Sequence, residues 1–504
     1  MLPAQLPFAL HRPPGPPRAV RAFLARASRA AAICAAALGL ALTLGPVPAG
    51  AQQLQQLPRE VDAALQRAKV PREAVAMLVA DVDGRQPPRL AWQTEQPMNP
   101  ASVNKLVTTF AALDQLGPAF TWTTPVYTDG PVRNGVLEGN LYIRGSGDPK
   151  LVVERLWLLL RRVQGLGIRS IAGDIVLDRS AFDAGPPDPG AFDGRPFRAY
   201  NAGPDALLIN YKSVVMTFRP DADGQAARVS YEPPLAGVSL QASVPISHAK
   251  GGCGDWRAGL RAEFDATRIA FAGSYPAACG EGQWATAYAD PARFSARAIA
   301  GLWGEMGGQL GGQVRDGRVP AHLAPAFEMH SPPLAEVIRD INKYSNNVMA
   351  DQVFLTLGEQ LKQRGTFDAA RSAMRQWWNL RIGTGAGQPV FDNGSGLSMD
   401  GRISAAQLGQ MLQVAWRSPS MPELMSSLPI VGVDGTLRKR QLRSGATAHL
   451  KSGSLAESGV AAVAGFVDGA SGRRYVLVAI ANHPNAYAAR AAFDALTDWT
   501  ARDN

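Results

Sequence analysis

The chain changes texture twice along its length, and this restricts its fold more than any other feature. From Pro58 to Glu95 the pattern is helix, strand, strand: "PREVDAALQRAKV", "EAVAMLVADV", a Gly-Arg-Gln turn and "RLAWQTE". In "PMNPASVNKLVTTFAALDQLG" (97–117), Leu106, Val107, Phe110, Ala111 and Leu113 then form an apolar helical face. From about residue 120 to about 325 the sequence is dense in Gly and Pro. It carries short candidate strands such as "VLEGNLYIRG", "IAGDIVLD", "ARVSYEP", "VSLQASVPI" and "RIAFAGS", with one clear helix in "LVVERLWLLLRRV". Helical spacing returns at "SPPLAEVIRDINKYSNNVMADQVFLTLGEQL", where Leu334, Val337, Ile338 and Ile341 share a face. At the end, "AAVAGFVD" and "RRYVLVAIAN" flank the turn "DGASG", and "YAARAAFDALTDW" has helical spacing. Helices and strands at both ends around a β-rich middle predict one α/β (α+β) domain split by a mostly β insertion.

The first 51 residues stand apart. Arg12, Arg18, Arg21, Arg26 and Arg29 precede the apolar run "AAICAAALGLALTL", too short to span a bilayer, and Ala49 and Ala51 give a small-x-small site for cleavage before Gln52. This predicts a cleaved secretory signal and a periplasmic protein. Loss of the five arginines lowers the formal charge from +9 to +4. No basic run with interleaved aromatics remains, so nucleic acid is not an expected partner. With Cys34 in the signal, Cys253 and Cys279 are left, and in an exported protein they are expected to form a disulfide. The six histidines are scattered and no H-E-x-x-H occurs, so no metal or cofactor is expected. No stable membrane anchor is expected, since the sequence stops shortly after a core-facing helix.

Ser102 and Lys105 are spaced to share one face at the start of the apolar helix. The spacing alone is weak: "SHAK" repeats it at Ser247 to Lys250, in sequence that reads as loop. A helix start with a solvated lysine accounts for the first copy as well. For Lys105 to act as a base, its pKa must fall from about 10.4 toward neutrality through burial or a nearby cation. Two further stretches bear on this, "YSNN" with Ser345 and Asn347, and "HLKSGS" with Lys451, Ser452, Gly453 and Ser454. The ordered set S-x-x-K, S-D-N, K-T-G marks serine acyl-transfer enzymes that recognise penicillin, and this chain has all three in order with one substitution in each of the last two. Singly, each reads equally as a turn or a hairpin entry; together they supply a nucleophile (Ser102), a base (Lys105), a proton path (Ser345) and amide recognition (Asn347). Lys451 adds a cation that attracts a substrate carboxylate and is expected to disfavour protonation of Lys105. Ser452 and Ser454 offer hydroxyls to that carboxylate, and Gly453 lets substrate backbone approach the strand edge.

These motifs, with "GSGDP" (145–149), "PDALLIN" (204–210), "INKYSNNVMAD" (341–351), "NGSGLS" (393–398) and "LPIVGVDGTLRKR" (428–440), resemble the class C low-molecular-mass penicillin-binding proteins, the D-alanyl-D-alanine carboxypeptidase/endopeptidases of peptidase family S13. The resemblance implies a transpeptidase/β-lactamase-like domain with two nested, mostly β domains inserted after the nucleophile helix. The expected boundaries are 52–120 and 301–504 for the split domain and 121–300 for the insertion, its inner part at about 133–203. It also implies Ser102 as acylated nucleophile, Lys105 as general base, Ser345 and Asn347 as the second motif, and Lys451 with Ser452 as the carboxylate site. The backbone N–H groups of Ser102 and Ser454 would form the oxyanion hole. The implied substrates are peptidoglycan stem peptides and cross-links, with β-lactam antibiotics as covalent inhibitors. Three residues depart from the family pattern: Ser452 for Thr, Met399 for Arg, and Asp351 for Glu. The alternatives are a β-lactamase or esterase of the same fold, or a non-catalytic cell-wall-binding protein.

Overall fold

Strands made almost entirely of apolar residues are buried on both faces, and three such runs organise the molecule: Val75–Asp81 (β1), Val460–Asp468 (β4) and Arg474–Asn482 (β5). With Leu90–Trp92 (β2) and Ala448–Leu455 (β3) they form an antiparallel sheet in the order β2-β1-β5-β4-β3. The two ends of the chain therefore meet in one sheet. In this computed structural model residues 56–503 are described, apart from 187, 249–251 and 386; the expected signal 1–51, its cleavage point at Ala51/Gln52 and Lys250 lie outside the described residues.

One face of the sheet carries Arg59–Ala68 (α1) and the C-terminal helix Arg490–Ala501 (α7), whose Val61, Leu65, Phe493 and Leu496 pack on Met77, Val79, Leu477 and Ala479. The other face carries the helices that build the site: Asn104–Leu116 (α2), Leu334–Tyr344 (α3), Asn347–Lys362 (α4), Phe367–Arg381 (α5) and Ala405–Trp416 (α6). α2 is buried from Asn104 to Leu113 on every side, so it is a core helix and not an amphipathic surface one. The amphipathic stretch from Leu334 is two helices. Ser345 adopts a left-handed conformation (φ 59°) that ends α3, and the Asn346 side chain accepts a hydrogen bond from Met349 N (3.1 Å) to cap α4.

Between α2 and α3 the chain builds its own core, with Leu156, Leu159, Ile175, Leu177, Val214 and Phe218 among its buried residues. Strand pairing alters the expected boundaries of this insertion. Gln309–Leu310 and Val314–Asp316 pair in parallel with Ser170–Ile171 and Ile175–Asp178, and Phe327–His330 pairs with Thr123–Thr128. From these pairings we propose that the insertion closes near residue 330 instead of 300. The segment that pairs only with itself is 213–287, whereas strands within the expected inner part (133–203) pair outward with 309–316. We therefore propose 213–287 as the nested unit; parallel partners more than 130 residues apart leave no local pattern to read. Cys253 and Cys279 are disulfide-bonded within it. Ser247 ends a strand where a loop is expected.

Candidate active site

The nucleophile turn is shaped by backbone. Ala101–Val103 form a single 3-10 turn leading into α2, with Ala101 at φ 46° and its N–H donating to Asn99 Oδ1 (2.9 Å). Ser102 caps nothing; its hydroxyl faces a cavity of about 610 Å³, and Lys105 projects one turn on, fully buried. A solvated lysine is thereby excluded.

Lys105 Nζ lies 2.9 Å from Ser102 Oγ, 2.6 Å from Asn347 Oδ1 and 2.7 Å from the carbonyl of Ser395. The amide of Asn347 is oriented by its Nδ2, which donates to the carbonyl of Tyr200 (3.0 Å), so Oδ1 must face the lysine. Asn347 Oδ1 and the Ser395 carbonyl can only accept, which uses two N–H groups; the third partner, a hydroxyl, can itself donate. This set of partners suits a neutral amine whose lone pair receives the Ser102 proton. Burial pushes the Lys105 pKa down to about 7, against the opposing pull of the Asp351 carboxylate.

Asp351 lies under the "NGSG" loop, where its Oδ1 accepts the N–H groups of Gly394 (3.0 Å) and Ser395 (2.9 Å), and burial raises its pKa to about 6. It thus fixes the loop whose Ser395 carbonyl holds Lys105, and it opposes deprotonation of that lysine. Sequence reasoning flagged Asp351 only as a departure from the pattern, and this position in the electrostatics of the site was missed.

The second and third motifs meet at Lys451. Its Nζ donates to Ser345 Oγ (2.9 Å) and to the Ser452 carbonyl (2.6 Å), and the side chain is fully buried. Burial first, and the charge of Lys105 second, push the Lys451 pKa well down. Burial is thus the largest cause at both lysines, and the repulsion between the two cations disfavours charging both at once. Neither lysine lines the cavity; hydroxyls do, from Ser102, Ser345, Ser452, Ser454 and Thr436. Thr436, at 2.8 Å from Ser452 Oγ, was also missed, as was Tyr200 from the insertion. Both reach the site through long-range packing. Met399 lies half-exposed on the cavity wall beside Ser458.

Gly453 has a specific reason to be glycine. A Cβ there would lie 2.7 Å from the Pro100 carbonyl and 2.9 Å from the backbone nitrogens of Ser102 and Val103, so only glycine lets β3 close on the nucleophile turn. Of the residues expected in the site, Ser102, Lys105, Ser345, Asn347, Lys451, Ser452, Gly453 and Ser454 are brought together. The cysteine pair belongs to the insertion.

Residues 57–503 match the D-Ala-D-Ala carboxypeptidase 3 (S13) family. The chain is 27% identical over 467 residues to a D-alanyl-D-alanine carboxypeptidase of Actinomadura sp. (strain R39), covering 88% of this chain and 85% of that one. It is also 27% identical over 411 residues to the D-alanyl-D-alanine carboxypeptidase DacB of Haemophilus influenzae, covering 76% and 80% respectively. Among solved structures, penicillin binding protein 4 from Haemophilus influenzae superposes with a TM-score of 0.66 at 23% identity, covering 87% of this chain and 99% of that one. The fold is shared.

Proposed function

This chain belongs to the D-Ala-D-Ala carboxypeptidase 3 (S13) family, and from that membership and the geometry above we propose that Ser102 is the nucleophile and Lys105 the base of a serine peptidase that trims and uncouples peptidoglycan stem peptides. It is a serine-type D-Ala-D-Ala carboxypeptidase sensitive to penicillin. The endopeptidase activity on cross-links, the residue roles, and export to the periplasm through the 1–51 segment are our reading. Among the described residues no helix is long and apolar enough to cross a membrane.

The observation that carries the reading is the Lys105 amine, buried and 2.9 Å from Ser102 Oγ with its other two partners able only to accept. The Ser102 proton passes to Lys105 as Oγ bonds to the carbonyl carbon of the penultimate D-Ala. Backbone N–H groups of Ser102 and Ser454 receive the oxyanion. The C–N bond then breaks, and the proton held by Lys105 returns through Ser345 to the departing amine. Water, deprotonated by the now neutral Lys105, hydrolyses the acyl-enzyme. The terminal carboxylate of the substrate sits against the hydroxyls of Ser452, Ser454 and Thr436, with Lys451 behind them. A carboxylate there favours the protonated form of Lys451, and a charged Lys451 in turn disfavours a second charge on Lys105. Substrate binding thereby primes the base.

The test is digestion of a muropeptide pentapeptide and of a D-Ala–diaminopimelate cross-linked dimer by the purified protein. Release of D-Ala and of monomer, both lost in Ser102→Ala, is expected. Turnover of penicillin with neither product released would contradict the reading and favour a β-lactamase.

A further inference from the structure

A second cavity, of about 390 Å³, adjoins the catalytic one across the edge of β3; the two share Thr436, Ser452, Gly453, Ser454 and Arg490 in their walls. Ser102 belongs to the first cavity alone, so the second lies beyond the hydroxyls that receive the substrate carboxylate. Its lining is basic: Arg438, Lys439, Arg440 and Arg490, with no acidic side chain. Arg440 is engaged by Asp494, and the guanidinium of Arg490 lies 3.6 Å from the centre of the Tyr487 ring. Arg438 and Lys439 are exposed and have no ion pair among the described residues. They follow the 3-10 turn Gly435–Leu437, which is held by Asp434. That carboxylate accepts from Ile430 N (2.8 Å) and pairs with Lys343 (2.5 Å), so the two cations are carried on a fixed loop.

The chemistry of the substrate says what can reach this place. In the carboxypeptidase reaction the leaving group is a single D-Ala, which ends at the carboxylate held by Ser452 and Ser454. In cleavage of a cross-link the leaving amine belongs to diaminopimelate. Beyond the corresponding carboxylate its side chain continues into a second stem peptide, which bears further carboxylates on glutamate and at its own C-terminus. The wall shared by the two cavities gives that strand a path from the catalytic cavity past β3 into the basic one.

We propose that the cavity formed by Arg438, Lys439 and Arg490 is a subsite for the carboxylate-bearing leaving strand of a cross-linked peptide, and that it raises endopeptidase over carboxypeptidase activity. The proposal rests on the peptidase reading above and names which substrate the site favours. Because the cations are solvated, the contribution lies in binding and weakens as salt rises.

The experiment compares wild type with the R438A/K439A variant on the pentapeptide, on the cross-linked dimer, and on a dimer whose leaving-strand carboxylates are amidated except the one beside the scissile bond, with penicillin acylation as the control for an intact site. For the variant, kcat/KM on the native dimer falls about tenfold through KM, the size expected of two partly solvated charge contacts. Its pentapeptide and penicillin rates stay within about twofold of wild type, since neither ligand extends past β3. Amidation costs wild type a similar factor and costs the variant nothing further. Parallel losses on pentapeptide and dimer, an unchanged dimer rate, or amidation and substitution effects that multiply would each overturn the subsite. Failure of the peptidase reading would look different, with wild type releasing neither D-Ala nor monomer, and would remove the proposal with it.

Discussion

At the residue scale, the central observation is that a lysine sits in a helix buried on every side. Burial disfavours its charge, and the carboxylate of Asp351 opposes that shift. Two predictions follow from the signs. A lysine with its pKa lowered to about 7 is a base only when deprotonated, so acylation of Ser102 rises with pH through about 7 and then levels. Asp351→Asn keeps an oxygen to accept from Gly394 and Ser395 and removes the opposing charge. The midpoint of the acylation profile should therefore move to lower pH, measured as the rate of penicillin adduct formation across a pH series; an unmoved midpoint would show that Asp351 acts only as a loop anchor. Ser102, Lys105, Ser345, Asn347 and Lys451 were legible because their order and spacing along the chain are distinctive. Tyr200, Thr436 and the role of Asp351 were not, because each is defined by what a distant segment brings against it: an insertion carbonyl, the hydroxyl of Ser452 and the buried loop 393–396.

At the element scale, the site depends on a helix break and a strand edge. The sequence shows one amphipathic stretch from Leu334, whose apolar spacing continues unbroken through Ser345; the structure turns the chain there, and the left-handed Ser345 aims its hydroxyl at Lys451. Ser345→Gly should fold at least as well as wild type, since glycine adopts this conformation freely, while D-Ala release falls for want of the hydroxyl; Ser345→Ala carries the same chemical loss but keeps the left-handed strain of about 1 kcal/mol that the serine already bears. Thermal midpoints and kcat, measured together, separate the two effects. Gly453→Ala forces a methyl against Pro100 and the nucleophile turn. It should cost about 1–3 kcal/mol as β3 is pushed back, and acylation should fall with it. Wild-type acylation in Gly453→Ala would mean that β3 need not close on Ser102.

At the scale of the whole molecule, the split α/β domain was legible from texture alone, because strands buried on both faces and amphipathic helices have distinct periods wherever they lie. The nesting of the insertion was not, since it depends on pairings such as Val314–Asp316 with Ile175–Asp178 that link segments far apart in sequence. The insertion carries the disulfide Cys253–Cys279, which closes a loop with a sequence separation of 26. Its removal in C253S/C279S should destabilise the insertion by about 3–4 kcal/mol, on the loop-entropy estimate. Penicillin acylation below the melting transition should be unchanged, since the pair lies outside the catalytic cavity. Calorimetry beside an acylation assay checks both halves. Activation of Ser102 by a lysine that burial has made a base near neutrality is measured most directly by the pH dependence of penicillin adduct formation, with the modified residue located by peptide mass spectrometry. The prediction is an adduct on Ser102, absent from Ser102→Ala, whose rate of formation rises with a midpoint near pH 7. An adduct that persists in Ser102→Ala, or a rate that rises only where an ordinary exposed lysine titrates, would contradict it.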